Sequence, residues 1–149
     1  MTDRPLDAEE LNRLREAFDE WLQGLSGPDS SVEETGRDPG DPSRWYVRVA
    51  GEDRDHVTIW FSLGQRHLRF ETWFLPPPRQ GSEALMRFLM ELNGRLWGLH
   101  FGLGEEEAVF LRGERPSRDL DPDQVDEVIG MVMATVERYF RAALSRAGW

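Results

Sequence analysis

The stretch that most constrains the fold is segment 57–75, with the sequence VTIWFSLGQRHLRFETWFL, which three prolines follow. Apolar residues alternate with other residues over two adjacent runs, and such period-two alternation is typical of strands that are buried on one face. Gly64 and Gln65 lie between the runs, and a glycine at the first position of a two-residue loop favours a type II′ turn. The segment therefore predicts a β-hairpin.

The alternation also predicts which side chains of the hairpin face each other. A Gly64-Gln65 loop places Phe61 opposite Leu68 on the inner, apolar face. A slip of one residue would turn the apolar set of one strand toward water, so the pattern fixes which face is buried. On the outer face this register pairs Trp60 with Arg69, Thr58 with Glu71 and His56 with Trp73.

The remaining elements are predicted from apolar spacing and capping residues. Helices over about 8–25, 82–97 and 122–145 follow suitable N-caps at Asp7, Ser82 and Asp121. Further strands are predicted for 45–50, 99–103 and 108–112, with turn residues between them. Segment 26–44 is polar and rich in Gly and Pro, which predicts a long loop, with a flap over a binding face as the alternative.

The predicted elements follow one another in the order α-β-β-β-α-β-β-α. Strands joined by short turns form antiparallel pairs, and amphipathic helices must cover the apolar face of the sheet. We therefore expect an α+β two-layer sandwich, with an antiparallel sheet of about five strands and helices on one face. A chain of 149 residues is expected to form a single domain with its own core.

Composition excludes several classes of function. A net charge of −10 disfavours nucleic acid and anionic lipid as partners. The chain has no cysteine, which excludes disulfides, thiol catalysis and thiolate metal sites. It also has no apolar run of the roughly 18 residues that a membrane span needs, and its first ten residues lack the features of a signal peptide. We expect a cytoplasmic protein.

The polar residues do not form a recognisable catalytic or metal-binding motif. Segment 119–123 resembles the start of an EF-hand loop, but Gln124 replaces the required glycine and Gly130 replaces the closing glutamate. Helix capping explains these carboxylates. The histidines lack the spacing of a zinc site: His56, His67 and His100. We predict no catalytic residue, no metal and no cofactor, and therefore no enzyme; a hydrolase with an unrecognised carboxylate pair is the remaining enzymatic alternative.

The outer face of the predicted sheet is unusual, because antiparallel sheets commonly keep that face polar. This face carries the aromatic residues Tyr46, Trp60 and Trp73. At about 150–250 Å² each, their side chains amount to roughly 500 Å², near the largest apolar patch that a monomer exposes. The alternative is that Trp60 stacks on Arg69 and that the chain's own loop covers the rest. The predicted partner-binding residues are Tyr46, Arg48, Trp60, Arg69, Glu71 and Trp73.

A family resemblance rests on three stretches of the sequence. These are TIWFSLGQRHLRFETWFLP, the helix end LNGRLWG at 92–98, and AVFLRG followed by LDPDQVDEVIG. From about Trp45 to Tyr139 the chain resembles the YbjN family of small bacterial proteins, often described as sensory-transduction regulators. The resemblance implies a fold like that of type III secretion chaperones, a non-enzymatic role and dimeric relatives, and it brings no catalytic motif.

Two hypotheses of function follow from the aromatic face and the resemblance. The first is a chaperone-like or regulatory adaptor that binds a protein partner, or a second copy of itself, through the outer face or through a helix edge. The second is a small-molecule-sensing regulatory domain with a ligand pocket between the sheet and the helices.

Overall fold

The computed structural model describes residues 4–80 and 82–149. These residues form three α-helices and one six-stranded antiparallel sheet. The predicted α+β class is confirmed. The elements are α1 (Ala8–Gln23), β1 (Val32–Arg37), β2 (Arg44–Ala50), β3 (His56–Leu63), β4 (His67–Leu75), α2 (Ser82–Asn93), β5 (Leu99–Leu103), β6 (Val109–Pro116) and α3 (Pro122–Arg146). In the sheet the strands lie in the order β1-β2-β3-β4-β6-β5.

Strand β1 corrects the prediction of a long loop over 26–44. The strand has the largely polar sequence VEETGR: only Val32 is buried, and its other five residues are exposed or half-buried. A bulge between Val32 and Glu34 further interrupts the alternation. Because β1 is an edge strand, backbone pairing with β2 on one side suffices to hold it, and no apolar period is required.

The register of the central hairpin differs from the prediction by two residues. Phe61 lies opposite Phe70, and Trp60 lies opposite Glu71. The N–H of Gly64 donates to the carbonyl of His67 at 2.9 Å, so the turn is centred on Gln65 and the residue after it. The predicted pairs are wrong, but a shift of two preserves the side of the sheet on which each residue lies.

Two of the three described α-helices, α1 and α3, begin where their capping residues predict. The carboxylate of Asp7 accepts the N–H of Glu10 at 2.8 Å, and the Glu10 side chain accepts the N–H of Asp7 at 3.1 Å, which completes a capping box. Asp121 caps α3 in the same way through the N–H of Gln124, at 2.9 Å. The ends are less well predicted, since α1 stops at Gln23 and α2 at Asn93.

The core fills the space between the inner face of the sheet and the helices. Phe18 of α1 packs against Trp45 and Phe61, with ring centroids 4.7 and 5.7 Å apart. The indole N–H of Trp45 donates to Asp19 at 3.0 Å, so this buried ring keeps its hydrogen bond. The helices cover one face, which leaves the outer face of the sheet for other contacts.

Candidate functional site

One row of paired residues crosses the outer face from one edge of the sheet to the other. In this row Trp60 lies between Tyr46 and Glu71, whereas the sequence predicted Arg69 in place of Glu71. The row comprises Gly36, Tyr46, Trp60, Glu71, Arg112 and His100. Arg69 lies in the next row, between Ser62 and Glu114.

A groove of about 660 Å³ opens over the half of this face that is formed by β3, β4, β6 and β5. Its volume lies within the range of roughly 300–1,000 Å³ that is common for binding pockets. We call it the outer groove; its side chains on the outer face are Trp60, Ser62, Arg69, Glu71, His100, Arg112 and Glu114. Three of the six predicted binding residues therefore lie in one concave site.

The charges of the outer groove alternate in sign. Arg112 Nε lies 3.0 Å from Glu71 Oε2, and Arg69 Nε lies 3.8 Å from Glu114 Oε2. The two pairs run in opposite directions between β4 and β6, so each arginine has the glutamate of the other pair two residues away on its own strand. Exposed pairs of this kind add little to stability, but they present a defined charge pattern to a partner.

The glycine that follows β5 leaves room for the side chain of Arg112. A Cβ atom on Gly104 would collide with the Phe110 ring and would lie 3.1 Å from Arg112 Nη2. The guanidinium of Arg112 lies over the Phe110 ring at 5.1 Å and donates to the carbonyl of Leu103 at 3.3 Å. The absence of a side chain at Gly104 therefore allows this position of the Phe110 ring and the Arg112 guanidinium.

The predicted residues Tyr46 and Arg48 are engaged by β1 instead. The Tyr46 hydroxyl donates to the Glu34 carboxylate, and this bond raises the pKa of Tyr46 above its ordinary value. Arg48 lies 3.6 Å from Glu33 and 3.8 Å from Glu34. The bulge in β1 brings both glutamates to the outer face. These two predicted residues hold the edge strand and lie outside the groove.

Arginine side chains brace the aromatic residues of the outer face. The guanidinium of Arg44, rather than the predicted Arg69, lies 4.1 Å from the centroid of Trp60. That of Arg54 lies 5.3 Å from Trp73, which remains 41% exposed, whereas Tyr46 and Trp60 are half-buried. The exposed aromatic area is therefore smaller than the sequence predicted, and stacking accounts for part of it.

The sequence did not identify the groove residues that come from β5 and β6. Arg112 and Glu114 are two apart on β6 and share the outer face, but the strand was predicted to stop at 112. His100 joins them because β5 pairs with β6. Trp97, which is 90% exposed, directly precedes Gly98 at the rim of the groove. In the sequence, the available signal was a tryptophan directly before the predicted strand 99–103, and its exposure is seen only in the structure.

Within residues 4–80 and 82–149, no group of three His, Cys, Asp or Glu side chains is arranged to hold a metal ion. None of the helices described there is long and apolar enough to cross a membrane.

Comparison with protein families confirms the resemblance seen in the sequence. The family model of YbjN, described as "Putative bacterial sensory transduction regulator", matches residues 14–145. Uncharacterized proteins of Mycobacterium tuberculosis and Mycobacterium bovis are 31% identical over 108 residues, which cover 72% of this chain and 59% of each relative. One of Mycobacterium leprae is 29% identical over 101 residues, or 68% of this chain and 55% of the relative. The chain spans less than two thirds of the length of these curated relatives.

Solved structures with a similar fold include two protein complexes. The ExsC–ExsE complex contains a chain that matches with a TM-score of 0.59 and 16% identity, covering 88% of this chain and 93% of that one. The Yersinia pestis type III secretion chaperone SycH, in complex with a fragment of YscM2, matches with a TM-score of 0.54 and 11% identity, covering 83% and 96%. At these identities the comparison shows a shared fold.

Proposed function

This chain belongs to the YbjN family, and from that premise we propose that it is a non-enzymatic adaptor that binds a protein partner through the outer groove. The observation that carries the proposal is the groove itself, which combines a half-buried tryptophan with two ion pairs on the sheet face that the helices leave uncovered. Tryptophan and arginine are the residue types that dominate binding energy at protein interfaces.

The charge pattern favours a protein as the occupant. The two ion pairs of the groove are arranged with alternating sign, and a protein surface can present matching groups of both signs at once. The exposed indole of Trp97 at the rim adds apolar area beside these charges. ExsC and SycH, which share the fold, were each solved in complex with another protein. We include a second copy of this chain among the partners that the groove would accept.

A pull-down from native cytosol tests the proposal with a matched pair of double variants. Trp60→Ala/Arg69→Ala removes one tryptophan and one arginine from the groove. Arg79→Ala/Trp149→Ala removes the same two residue types from the C-terminal region, where Arg79 lies 4.8 Å over Trp149. We expect wild type and the control variant to retain a stoichiometric protein, and the groove variant to lose it while its melting temperature stays close to that of the control.

Equal recovery of the same protein by both double variants would contradict the proposal. Loss of binding that accompanies a loss of folding would contradict it as well, because the groove residues are proposed to contact the partner rather than to stabilise the fold. If wild type retains only itself, sedimentation distinguishes a homodimer through the groove, which the groove variant would dissociate, from the absence of any partner.

A small-molecule-sensing role is the second candidate. Its predicted pocket lies between the sheet and the helices, and a cavity of about 330 Å³ does lie between α1 and the strands β1 and β2. That volume is at the lower end of common ligand pockets. A metabolite screen read by melting temperature tests this role: a saturable upward shift would favour it, and a screen without a shift would count against it.

A further inference from the structure

The two edges of the sheet differ in how their outward backbone groups are satisfied. At the β5 edge, the side-chain amide of Asn93 donates to the Phe101 carbonyl at 3.1 Å and accepts the Phe101 N–H at 2.7 Å. Arg112 donates to the carbonyl of Leu103, the next outward position. The chain's own side chains thus occupy much of the β5 edge, where another strand would have to bind.

The β1 edge is open. The N–H of Asp38 donates to the carbonyl of Arg44 at 2.8 Å, and hydrogen-bonded pairs alternate along an antiparallel ladder. It follows that the backbone N–H and carbonyl of Gly36 form hydrogen bonds with β2, whereas the backbone groups of Thr35 and Arg37 point away from β2. Within residues 4–80 and 82–149, no turn, loop or side-chain hydrogen bond reaches the backbone N–H or carbonyl groups of these two residues.

A cavity runs beside this open edge. It has a volume of about 330 Å³ and is lined by Thr35, Gly36 and Arg37 on β1, by Trp45 on β2, and by Asp19, Leu22 and Gln23 on α1. Leu22 and Trp45 are buried side chains whose apolar atoms form part of the cavity wall. Glu16, also on α1, has a 74% exposed side chain and pairs with Arg37 at 3.6 Å. The space beside the outward-facing backbone is therefore partly apolar, and the carboxylates of Asp19 and Glu16 lie near it together with the guanidinium of Arg37.

We propose that the β1 edge accepts an extended, basic segment of a partner protein as a seventh strand. Backbone groups of Thr35 and Arg37 would pair with the segment, an apolar side chain would contact Leu22, and a basic side chain would pair with Glu16. The net charge of −10 attracts such a basic segment. The inference rests on the proposed function only in taking the partner to be a protein, and it adds a second contact site.

Fluorescence anisotropy with a short, fluorescein-labelled peptide of alternating valine and arginine tests the inference on the full chain. Thr35→Pro removes an outward N–H but no bond to β2, and proline is tolerated at such edge positions. We expect it to weaken peptide binding by about threefold to tenfold, the effect of one lost hydrogen bond. Glu16→Arg is expected to weaken binding by at least about threefold, since it reverses the charge of the rim.

Controls separate this site from the outer groove. The Trp60→Ala/Arg69→Ala variant should bind the peptide as wild type does, so failure of the groove proposal would leave this result unchanged. A peptide with glutamate in place of arginine should not bind. Equal binding of the basic peptide to wild type, Thr35→Pro and Glu16→Arg, or no binding to wild type, would overturn the inference.

Amide exchange in wild type gives a readout that does not depend on how well Thr35→Pro folds. On addition of the basic peptide, we expect the N–H groups of Thr35 and Arg37 to become protected from exchange with solvent. The N–H groups of Leu99 and Leu103 on β5 should not change. Protection at β5 without protection at β1 would overturn the inference.

Discussion

The inner and outer faces of the same sheet both carry aromatic side chains, but these side chains differ in burial and in the groups that they contact. On the inner face, Trp45 is 1% exposed and packs against Phe18, another ring. On the outer face, Trp60 is half-buried and lies under the guanidinium of Arg44 at 4.1 Å. Burial among rings contributes mainly to folding, whereas an aromatic ring between charged groups keeps a surface that a partner can still cover.

The largest effect on stability is expected when an aromatic side chain is removed from the inner face. Phe18→Ala leaves a cavity between α1 and the sheet, where Trp45 and Phe61 now contact the ring. We expect a loss of about 3–5 kcal/mol in the free energy of unfolding, measured by chemical denaturation. A loss below about 1 kcal/mol would mean that the inner face does not hold the fold as described.

The corresponding change on the outer face should have a smaller effect on stability. Trp60→Ala removes a half-buried ring and its contact with Arg44, a cation–π pair worth about 0.5–1 kcal/mol at exposed sites. Because the surface can rehydrate, we expect a total loss of no more than about 1.5 kcal/mol, measured under the same denaturation conditions. A loss equal to that of Phe18→Ala would remove the distinction between the faces.

The carboxylate of Glu10, at the start of α1, lies on neither face of the sheet, and its effect on stability should depend on pH. The backbone N–H of Asp7 and the nearby Arg4 lower the pKa of Glu10 from 4.5 to about 2. A lowered folded-state pKa contributes stability above pH 4.5 that is lost as the pH falls toward about 2. We expect Glu10→Gln to lose that contribution at neutral pH and to unfold less steeply with acid, as followed by circular dichroism.

The matching control for this pH effect is Trp60→Ala. Its stability should fall with acid as steeply as that of wild type, because Trp60 does not contact the start of α1. If Glu10→Gln unfolds with acid as steeply as wild type, the capping box does not cause the predicted pH dependence.

The sequence predicted the parts of the fold that leave a local pattern. The alternation in 57–75 identified the hairpin and its buried face, and the carboxylates at Asp7 and Asp121 identified two helix starts. It did not predict β1, because an edge strand with a bulge shows no apolar period. It also misplaced the hairpin register, because the turn is centred one residue later than the Gly64-Gln65 loop assumed.

The candidate site was predicted only where it lies on the hairpin. Trp60, Arg69 and Glu71 come from β3 and β4, whose alternation was visible in the sequence. Their partners Arg112 and Glu114 reach the groove through the pairing of β4 with β6, which is distant in sequence. Local periodicity carries no information about that pairing, so the ion pairs that define the groove required the structure.

The most direct test of the central claim is photocrosslinking from a residue inside the outer groove. A photoreactive amino acid at Ser62, which lines the groove, is compared with one at Arg87 on the exposed side of α2. We predict a defined protein adduct from position 62 that Trp60→Ala/Arg69→Ala abolishes. An adduct that forms only from position 87, or that survives the double substitution, would contradict the assignment of the outer groove as the binding surface.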